Sequence, residues 1–232
     1  MSKKVVQFHR IGDVTFSRNK RSKNIKISVK PNKKVLVSFP FYVRTKEAMA
    51  FVVENEDWIR KQQNKFDSKR IRFQEGSSLE TRLYKIDFCK GVNTRAEING
   101  SIVKIEVSDF EDEHEQQVIE HFLTEVYRLE AKRILPPRLE EIAQLHGFKY
   151  NKVTIRNNKR NWGSCSSKNN ISLNLQMMKL PDELIDYILL HELVHTEIKN
   201  HSPKFWKRMD ELTGNRAREL SKQVKQYSAY TL

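Results

Sequence analysis

Apolar and polar residues alternate over two short segments in the first third of the chain, which is the pattern of half-buried strands. The segments are IKISV at residues 25–29 and VLVSF at residues 35–39. A Pro-Asn pair at 31–32 lies between them and favours a turn. We therefore predict a β-hairpin here, and the same alternation predicts further strands at 83–89 and 102–107.

Helical spacing dominates much of the remaining chain. One helix is predicted over residues 45–66, with Thr45 as its N-cap. A long amphipathic helix is predicted over 113–134 and ends before Pro136-Pro137, because proline lacks a backbone donor and crowds the preceding turn. A second helix then extends from Pro137 to His146, with Gly147 as a C-cap. The predicted apolar side of the long helix consists of Val118, Phe122, Val126 and Leu129.

The last third of the chain combines short strands with helices. Strands are predicted at 152–156 and 171–175, and helices begin at Pro181, Ser202 and about Asn215. This order predicts an α+β fold. We expect a division between a basic, β-rich N-terminal portion with one helix (1–110) and a mostly helical portion with a small mixed sheet (111–232). No internal repeat is visible in the sequence.

The net charge of +14 is concentrated at the N-terminal end of the chain. Residues 1–75 contain 19 Lys+Arg and 7 Asp+Glu, whereas the remaining residues contain 24 and 22. Such a surface is compatible with contact with nucleic acid, a nucleotide or another polyanion, and the alternative interpretation is a solvated basic face that only keeps the protein soluble. The candidate contacts are Arg18, Lys20, Arg21 and Lys23.

Several classes of protein are not expected from this composition. No apolar run approaches the roughly 18 residues of a membrane span, and the N-terminus lacks the apolar region of a secretory signal. Cys89 and Cys165 are the two cysteines, so a disulfide framework is not expected. We therefore expect a soluble, cytoplasmic globular protein that does not interact with membranes.

Candidate chemistry is concentrated in the sequence HELVH at residues 191–195. His191 and His195 are four residues apart, so on a helix both imidazoles project from one face and can bind one metal ion. Glu192 can then reach a water molecule at the metal without being a ligand. His201 follows ten residues after His191, which is the interval of the HExxHxxGxxH zinc motif. Ile198 replaces the glycine of that motif, and we expect Asn200 to provide the left-handed turn.

Other residues are weaker candidates for the metal site. Glu211 lies in the next predicted helix and is an alternative third ligand, although we expect it to face solvent. Glu197 is too close to His195 along the helix to share a tetrahedral site. Cys165 lies in Trp-Gly-Ser-Cys, which is more typical of a tight turn with an inward thiol than of a ligand or nucleophile. The other histidines, expected at the surface or in the core, are His9, His114, His121 and His146.

Several ordered motifs resemble those of the YgjP-like metallopeptidase family. They are NWGSC at 161–165, ISLN at 171–174, HELVH at 191–195 and NHSPKFW at 200–206. The resemblance covers nearly the whole chain and implies a zincin-like core, which is distantly similar to that of SprT-like proteases. It also implies one Zn²⁺ per chain on His191, His195 and His201, with Glu192 as general base.

The chain departs from this family at one position. The family usually has arginine directly before Trp-Gly-Ser-Cys, whereas this chain has Asn161 there and Arg160 one residue earlier. The role of that arginine therefore stays open between these two residues. The candidate substrate contacts are Arg160, Asn161, Trp162 and Asn174.

Three hypotheses follow for the function. The first is zinc-dependent hydrolysis of a peptide or protein, in which an extended substrate pairs with the strand at 171–175 if that strand lies at a sheet edge. The second keeps the metal but hydrolyses a nucleoside triphosphate or another phosphoanhydride, with the basic portion attracting the polyphosphate. The third is a nucleic-acid-associated protein recruited through its basic N-terminal surface. Imidazole also accepts nickel, cobalt and manganese, so other divalent metals are possible.

Overall fold

The computed structural model describes residues 3–30, 34–67 and 72–227. The chain divides into two compact units, Met1–Ile71 and Arg72–Leu232. This boundary differs from the predicted one after residue 110, because the sheet preceding that position shares a hydrophobic core with the helix that follows it. The chain therefore divides before the second sheet and not after it.

The first unit contains a four-stranded sheet followed by two helices. Its strands are β1 (Lys3–Phe8), β2 (Gly12–Arg18), β3 (Lys26–Val29) and β4 (Val35–Phe39), in the order β1-β2-β4-β3. β2 and β4 are parallel, whereas the two outer pairs are antiparallel. The β3–β4 pair confirms the predicted hairpin, although its turn at residues 31–32 lies outside the described residues.

The predicted helix over 45–66 consists of two helices, α1 (Thr45–Glu54) and α2 (Glu56–Asp67). Asn55 separates them with φ −104° and ψ 14°, and its side-chain amide donates to the carbonyl of Phe51 at 2.8 Å. Thr45 is the first helical residue and not the N-cap, a position that Arg44 occupies without a side-chain bond. The core of this unit consists of Ile11, Val14, Phe16, Val35, Val37, Phe39, Ala48, Val52 and Ile59.

The second unit begins with a sheet of the same topology. Its strands are β5 (Ser78–Glu80), β6 (Lys85–Lys90), β7 (Arg95–Asn99) and β8 (Ile102–Val107), in the order β5-β6-β8-β7. β6 and β8 are parallel and the outer pairs are antiparallel, as in the first unit. The chain therefore contains a structural repeat that its sequence does not reveal.

The long helix α3 (Glu113–His146) continues through Pro136 and Pro137, so the predicted break does not occur. Each proline leaves the carbonyl four residues earlier without its helical partner. Those carbonyls belong to Lys132 and Arg133, which are exposed, so water can bond to them. Gly147 ends the helix as predicted, with φ 74°. The buried side of the N-terminal half is shifted from the predicted one and consists of Ile119, Leu123, Val126, Tyr127 and Glu130, whereas Leu129 is 43% exposed.

A third sheet and the last helices complete the second unit. The strands are β9 (Lys152–Arg156), β10 (Gly163–Cys165) and β11 (Asn170–Asn174), in the order β10-β11-β9. A 3-10 helix (Leu175–Lys179) precedes α4 (Asp182–Glu197), α5 (Pro203–Thr213) and α6 (Ala217–Val224), which confirms the predicted helices.

One expectation about this region is wrong, and the condition stated for substrate pairing is not met. The Trp-Gly-Ser-Cys segment contains the strand β10 instead of forming a tight turn. The strand predicted at 171–175 is the central strand β11 and not an edge, so it has no free side for a substrate. The observed elements nevertheless confirm the predicted α+β fold. Within the described part of the chain, no helix combines the length and apolar character that a bilayer crossing requires.

Candidate functional site

The buried helix α4 carries the HELVH segment. Pro181 occupies its N-cap position, and most residues from Leu184 to His195 are buried. A helix that is apolar on nearly all sides packs inside the protein, and α4 contacts α3, α5, α6 and the strand β10. His191, Glu192 and His195 are therefore held on a rigid element at the edge of the core.

The structure brings the three predicted imidazoles together at their Nε2 atoms. The Nε2 atom of His191 lies 3.2 Å from that of His195 and 3.1 Å from that of His201, and the third distance is 3.3 Å. Three nitrogens bonded tetrahedrally to zinc at about 2.0–2.1 Å lie about 3.3 Å apart. The spacing therefore fits one tetrahedral metal ion.

The loop after α4 orients both His195 and His201. His195 Nδ1 lies 2.9 Å from the carbonyl oxygen of Ile198, which assigns the ring proton to Nδ1 and leaves the lone pair at Nε2. Ile198 ends α4 in an extended conformation, with φ −123° and ψ 99°. The expectation for Asn200 is wrong, because Asn169 and Asn215 are the non-glycine residues with positive φ in the described ranges.

Phe205, in the first turn of α5, packs against all three imidazoles. Its ring centroid lies 4.9 Å from that of His191, 4.6 Å from that of His195 and 4.8 Å from that of His201. The side chain of Phe205 is fully buried. It therefore excludes water from one side of the histidine cluster and restricts the rotation of the rings.

Burial keeps the imidazoles of His191 and His195 in their neutral form, because it lowers the pKa of each. It lowers the pKa of His191 to about 3, and the two neighbouring histidines contribute to the same shift. Burial also lowers the pKa of His195. A neutral imidazole is the form that binds a metal, so both rings are in the required state at neutral pH.

Glu192 lies beside this cluster and directly against the edge strand β10. A Cβ atom on Gly163 would come within 2.6 Å of Glu192 Oε1 and 2.7 Å of its Cγ, so glycine is required for this close approach. Burial raises the pKa of Glu192 to about 8. Its Oε2 atom is buried and has no hydrogen-bond partner among the described residues.

The predicted substrate contacts separate into accessible and buried residues. Asn174 is fully buried, and its side chain bonds to the carbonyls of Asn158 and Asn161 and to the amide of Gln176. It supports the preceding loop and cannot reach a substrate. Arg160 and Asn161 are exposed, and Trp162 is half-buried beside the core.

The weaker candidates for the metal site lie elsewhere. Glu211 forms an ion pair with Arg208 at 3.2 Å, and Glu197 is exposed. Cys165 is a free cysteine, and its Sγ atom lies 3.8 Å from Lys199 Nζ. His9, His114 and His121 are exposed and His146 is half-buried, as expected, and none belongs to a described metal-binding group.

A cleft of about 610 Å³ adjoins the histidine cluster. Besides His201, the residues lining it belong to α5 and α6 and to the segment near them, and they include both basic and acidic side chains. They are Pro203, Trp206, Lys207, Asp210, Glu211, Asn215 and Arg218.

Sequence reasoning missed three residues that shape this site: Gly163, Phe205 and Lys199. Gly163 was visible in the Trp-Gly-Ser-Cys motif, but nothing in the sequence connected it to Glu192, 29 residues later. Phe205 follows His201 by four residues, and this helical spacing only weakly indicated that the two side chains are in contact. Nothing in the local sequence indicated a role for Lys199, because its hydrogen-bond partners belong to another segment of the chain.

One protein family and two solved structures are similar to this chain. No curated protein matches the chain in sequence. The crystal structure of the metallopeptidase zymogen of Pyrococcus abyssi abylysin matches at 27% identity with a TM-score of 0.37, over 43% of this chain and 99% of that one. The crystal structure of the metallopeptidase zymogen of Methanocaldococcus jannaschii jannalysin matches at 28% identity with a TM-score of 0.35, over 40% of this chain and 94% of that one.

The model of the YgjP-like metallopeptidase domain matches residues 23–227. Because that match covers most of the sequence, the chain belongs to the YgjP-like metallopeptidase family.

Proposed function

We propose that the protein is a zinc-dependent peptidase in which His191, His195 and His201 hold the metal and Glu192 is the general base. One observation carries the proposal: the three Nε2 atoms lie within 3.3 Å of one another. Each Nε2 atom of a neutral imidazole carries either a proton or a lone pair, so at least two of the three atoms are of the same kind and repel each other unless a cation lies between them. A divalent cation therefore suits this donor set.

The donor set also indicates the kind of metal site. Among the described residues, three side chains can be metal ligands here, whereas a structural zinc site usually has four. Three imidazoles suit a catalytic zinc, which supplies a Lewis acid and lowers the pKa of a bound water toward neutrality.

Glu192 performs the proton transfer in this proposal. A cation at the histidines favours the ionised carboxylate and so opposes the effect of burial on the pKa of Glu192. The carboxylate takes a proton from the attacking water and delivers it to the amine that leaves the cleaved peptide bond. Gly163 lets this carboxylate lie directly against β10, because no side chain intervenes there.

The edge strand β10 replaces β11 as the proposed binding strand for an extended peptide. β10 is the first strand in the order β10-β11-β9, so one of its sides is unpaired within that sheet. It contacts α4, and its Gly163 touches Glu192. A peptide added to this edge would run beside the proposed catalytic group. Arg160, Asn161 and Trp162 directly precede β10 and are the proposed contacts at its start.

Metal content and hydrolysis together test the proposal. Elemental mass spectrometry should find about one zinc per chain in the wild type and a nearly complete loss in His191→Ala and His201→Ala. Glu192→Gln should keep the zinc but hydrolyse an unfolded protein substrate about 100-fold more slowly or worse. Retention of both zinc and full activity in Glu192→Gln would exclude the assigned role of this residue.

The same preparations distinguish the two hydrolytic hypotheses. Release of phosphate or pyrophosphate from nucleoside triphosphates should be measured beside proteolysis. Hydrolysis of nucleotides alone, lost in Glu192→Gln, would keep the metal site but contradict the peptidase assignment. Glu211→Gln serves as a matched control, because Glu211 lines the cleft and should not affect zinc content.

A further inference from the structure

One end of the sheet in the first unit brings two loops together. β2 and β4 are parallel, with Arg18 opposite Phe39, so the loops that follow them leave the sheet at the same end. These loops are residues 19–25 and 40–44. One hydrogen bond joins the two loops, from the hydroxyl of Tyr42 to the carbonyl of Lys23 at 2.7 Å. The amide of Asn19 also donates to the carbonyl of Phe39, the last residue of β4, at 2.9 Å.

Basic side chains surround this end of the sheet. Arg18, Lys20, Arg21 and Lys23 are exposed, and none has an acidic partner among the described residues. Residues 3–44 contain 12 Lys+Arg and one acidic residue, Asp13. Asp13 lies near the other end of β2, five residues or about 17 Å from Arg18. No described ion pair therefore neutralises the positive charge of these four side chains.

Two aromatic rings are exposed beside these cations. Tyr42 is 77% exposed although its hydroxyl is hydrogen-bonded, so its ring is held in position with much of its surface accessible. Phe41 is 46% exposed, and Lys20 Nζ lies 5.9 Å from its ring centroid. A ring already held in place loses little freedom when a ligand stacks on it.

The second unit provides an internal comparison. The equivalent loops of its sheet are residues 91–94 and 108–112, which follow the parallel strands β6 and β8. These loops contain no Lys or Arg and three acidic residues, Asp109, Glu111 and Asp112. The same sheet topology thus forms with acidic instead of basic loops at this end, so the topology by itself does not require basic loops there.

We propose that this end of the first unit binds single-stranded nucleic acid. The aromatic–basic surface consists of Arg18, Lys20, Arg21, Lys23, Phe41 and Tyr42. In this arrangement unpaired bases stack on the tyrosine and phenylalanine rings, and the cations contact the phosphates. The exposed rings favour a single strand over a duplex, whose base faces are covered, and over an acidic peptide, which lacks flat aromatic bases to stack. This proposal is independent of the peptidase assignment.

Fluorescence anisotropy with a labelled oligo-dT of about 20 nucleotides tests the proposal on the full chain. We expect binding at about 50 mM salt that weakens steeply as salt is added. Tyr42→Ala should weaken binding by about fivefold or more, whereas Tyr42→Phe, which keeps the ring, should bind within about twofold of the wild type. Tyr227→Ala, which removes another exposed tyrosine, should have no effect.

Charge removal gives a second and independent readout. The triple variant Lys20→Gln, Arg21→Gln, Lys23→Gln should lower the slope of log affinity against log salt by about 2, because about 0.7 is lost for each phosphate contact to a single strand. The matched control is Lys90→Gln, Lys149→Gln, Lys152→Gln, which removes three exposed charges from the second unit.

Three results would overturn the proposal. They are absence of binding at low salt, binding that neither Tyr42→Ala nor the triple variant weakens, and equal affinity for a duplex or heparin without dependence on Tyr42. The last result would identify a general polyanion surface. Circular dichroism should show that each variant folds, and the exposure of the substituted side chains makes this the expected outcome.

Discussion

Gly163 shows how a single residue can govern a proposed catalytic group from another part of the chain. It lies on β10, while Glu192 lies on α4, and the two residues are in direct contact. The absence of a side chain lets the carboxylate lie against the strand backbone. Glycine is therefore required here for space and not for an unusual backbone conformation, since Gly163 is not among the glycines with positive φ.

We predict that Gly163→Ala lowers hydrolytic activity much more than zinc content. The added Cβ would lie 2.6 Å from Glu192 Oε1, so the carboxylate must move. A displacement of about 1 Å in a catalytic group costs about 100-fold in rate. Turnover and metal content should be measured together, with Ser164→Ala as the control on the same strand. Unchanged turnover in Gly163→Ala would contradict the proposed position of Glu192.

At the scale of secondary-structure elements, Lys199 joins the β10–β11 turn to the loop between α4 and His201. Its ammonium group donates to the carbonyl of Ser166 at 3.0 Å and to the side chain of Asn169. The loop also contains Ile198, whose carbonyl accepts the hydrogen bond from His195. Lys199 therefore connects the edge strand to the segment that carries the third histidine.

We predict that Lys199→Met loosens this connection without removing the metal. Loss of two charge-assisted hydrogen bonds at an exposed site should lower the free energy of unfolding by about 1 kcal/mol. Turnover should fall because β10 is less firmly placed beside Glu192, and Lys199→Arg should restore part of the loss. Denaturant unfolding and steady-state kinetics measure the two effects.

Lys168→Met is the matched control for that experiment. Lys168 lies on the same turn and is exposed, and it has no described contact. It should leave both stability and turnover unchanged. Equal effects of the two substitutions would mean that general charge near the turn, and not the Lys199 bonds, is responsible.

At the scale of the whole molecule, the described residues form two hydrophobic cores, one in each unit. One core belongs to β1–β4 with α1 and α2, and the other extends from Phe73 to Leu220. The three histidines and Glu192 all belong to the second unit. Metal binding should therefore stabilise the second unit directly, through a ligand that binds its folded state.

We predict that zinc protects the second unit selectively from hydrogen exchange. Zinc at 100 times its dissociation constant adds about 2.7 kcal/mol to the stability of the state that binds it. Mass spectrometry should show slower exchange in α4 and α5 and little change in β1–β4. His201→Ala should abolish this protection. Equal protection of both units would indicate that they unfold together.

The local sequence pattern was sufficient to predict many of the secondary-structure elements and the candidate metal-binding histidines. Strand alternation and helical spacing depend on neighbours within a few residues, so they predicted the β3–β4 hairpin and α4 to α6. The interval between His191 and His195 placed two imidazoles on one helix face for the same reason. The rule that proline ends a helix failed in α3, where the freed carbonyls belong to exposed residues and the flanking side chains are buried.

Other features depend on contacts between distant segments, which no local pattern encodes. The sequence indicated the ten-residue interval to His201, but only the folded loop brings its Nε2 atom to 3.1 Å from that of His191. The contact of Gly163 with Glu192 and the edge position of β10 are likewise tertiary. The repeat of one sheet topology in the two units is also a tertiary feature. The loops that follow the parallel strands are basic in the first unit and acidic in the second, and the strands can form the same hydrogen bonds although their side chains differ.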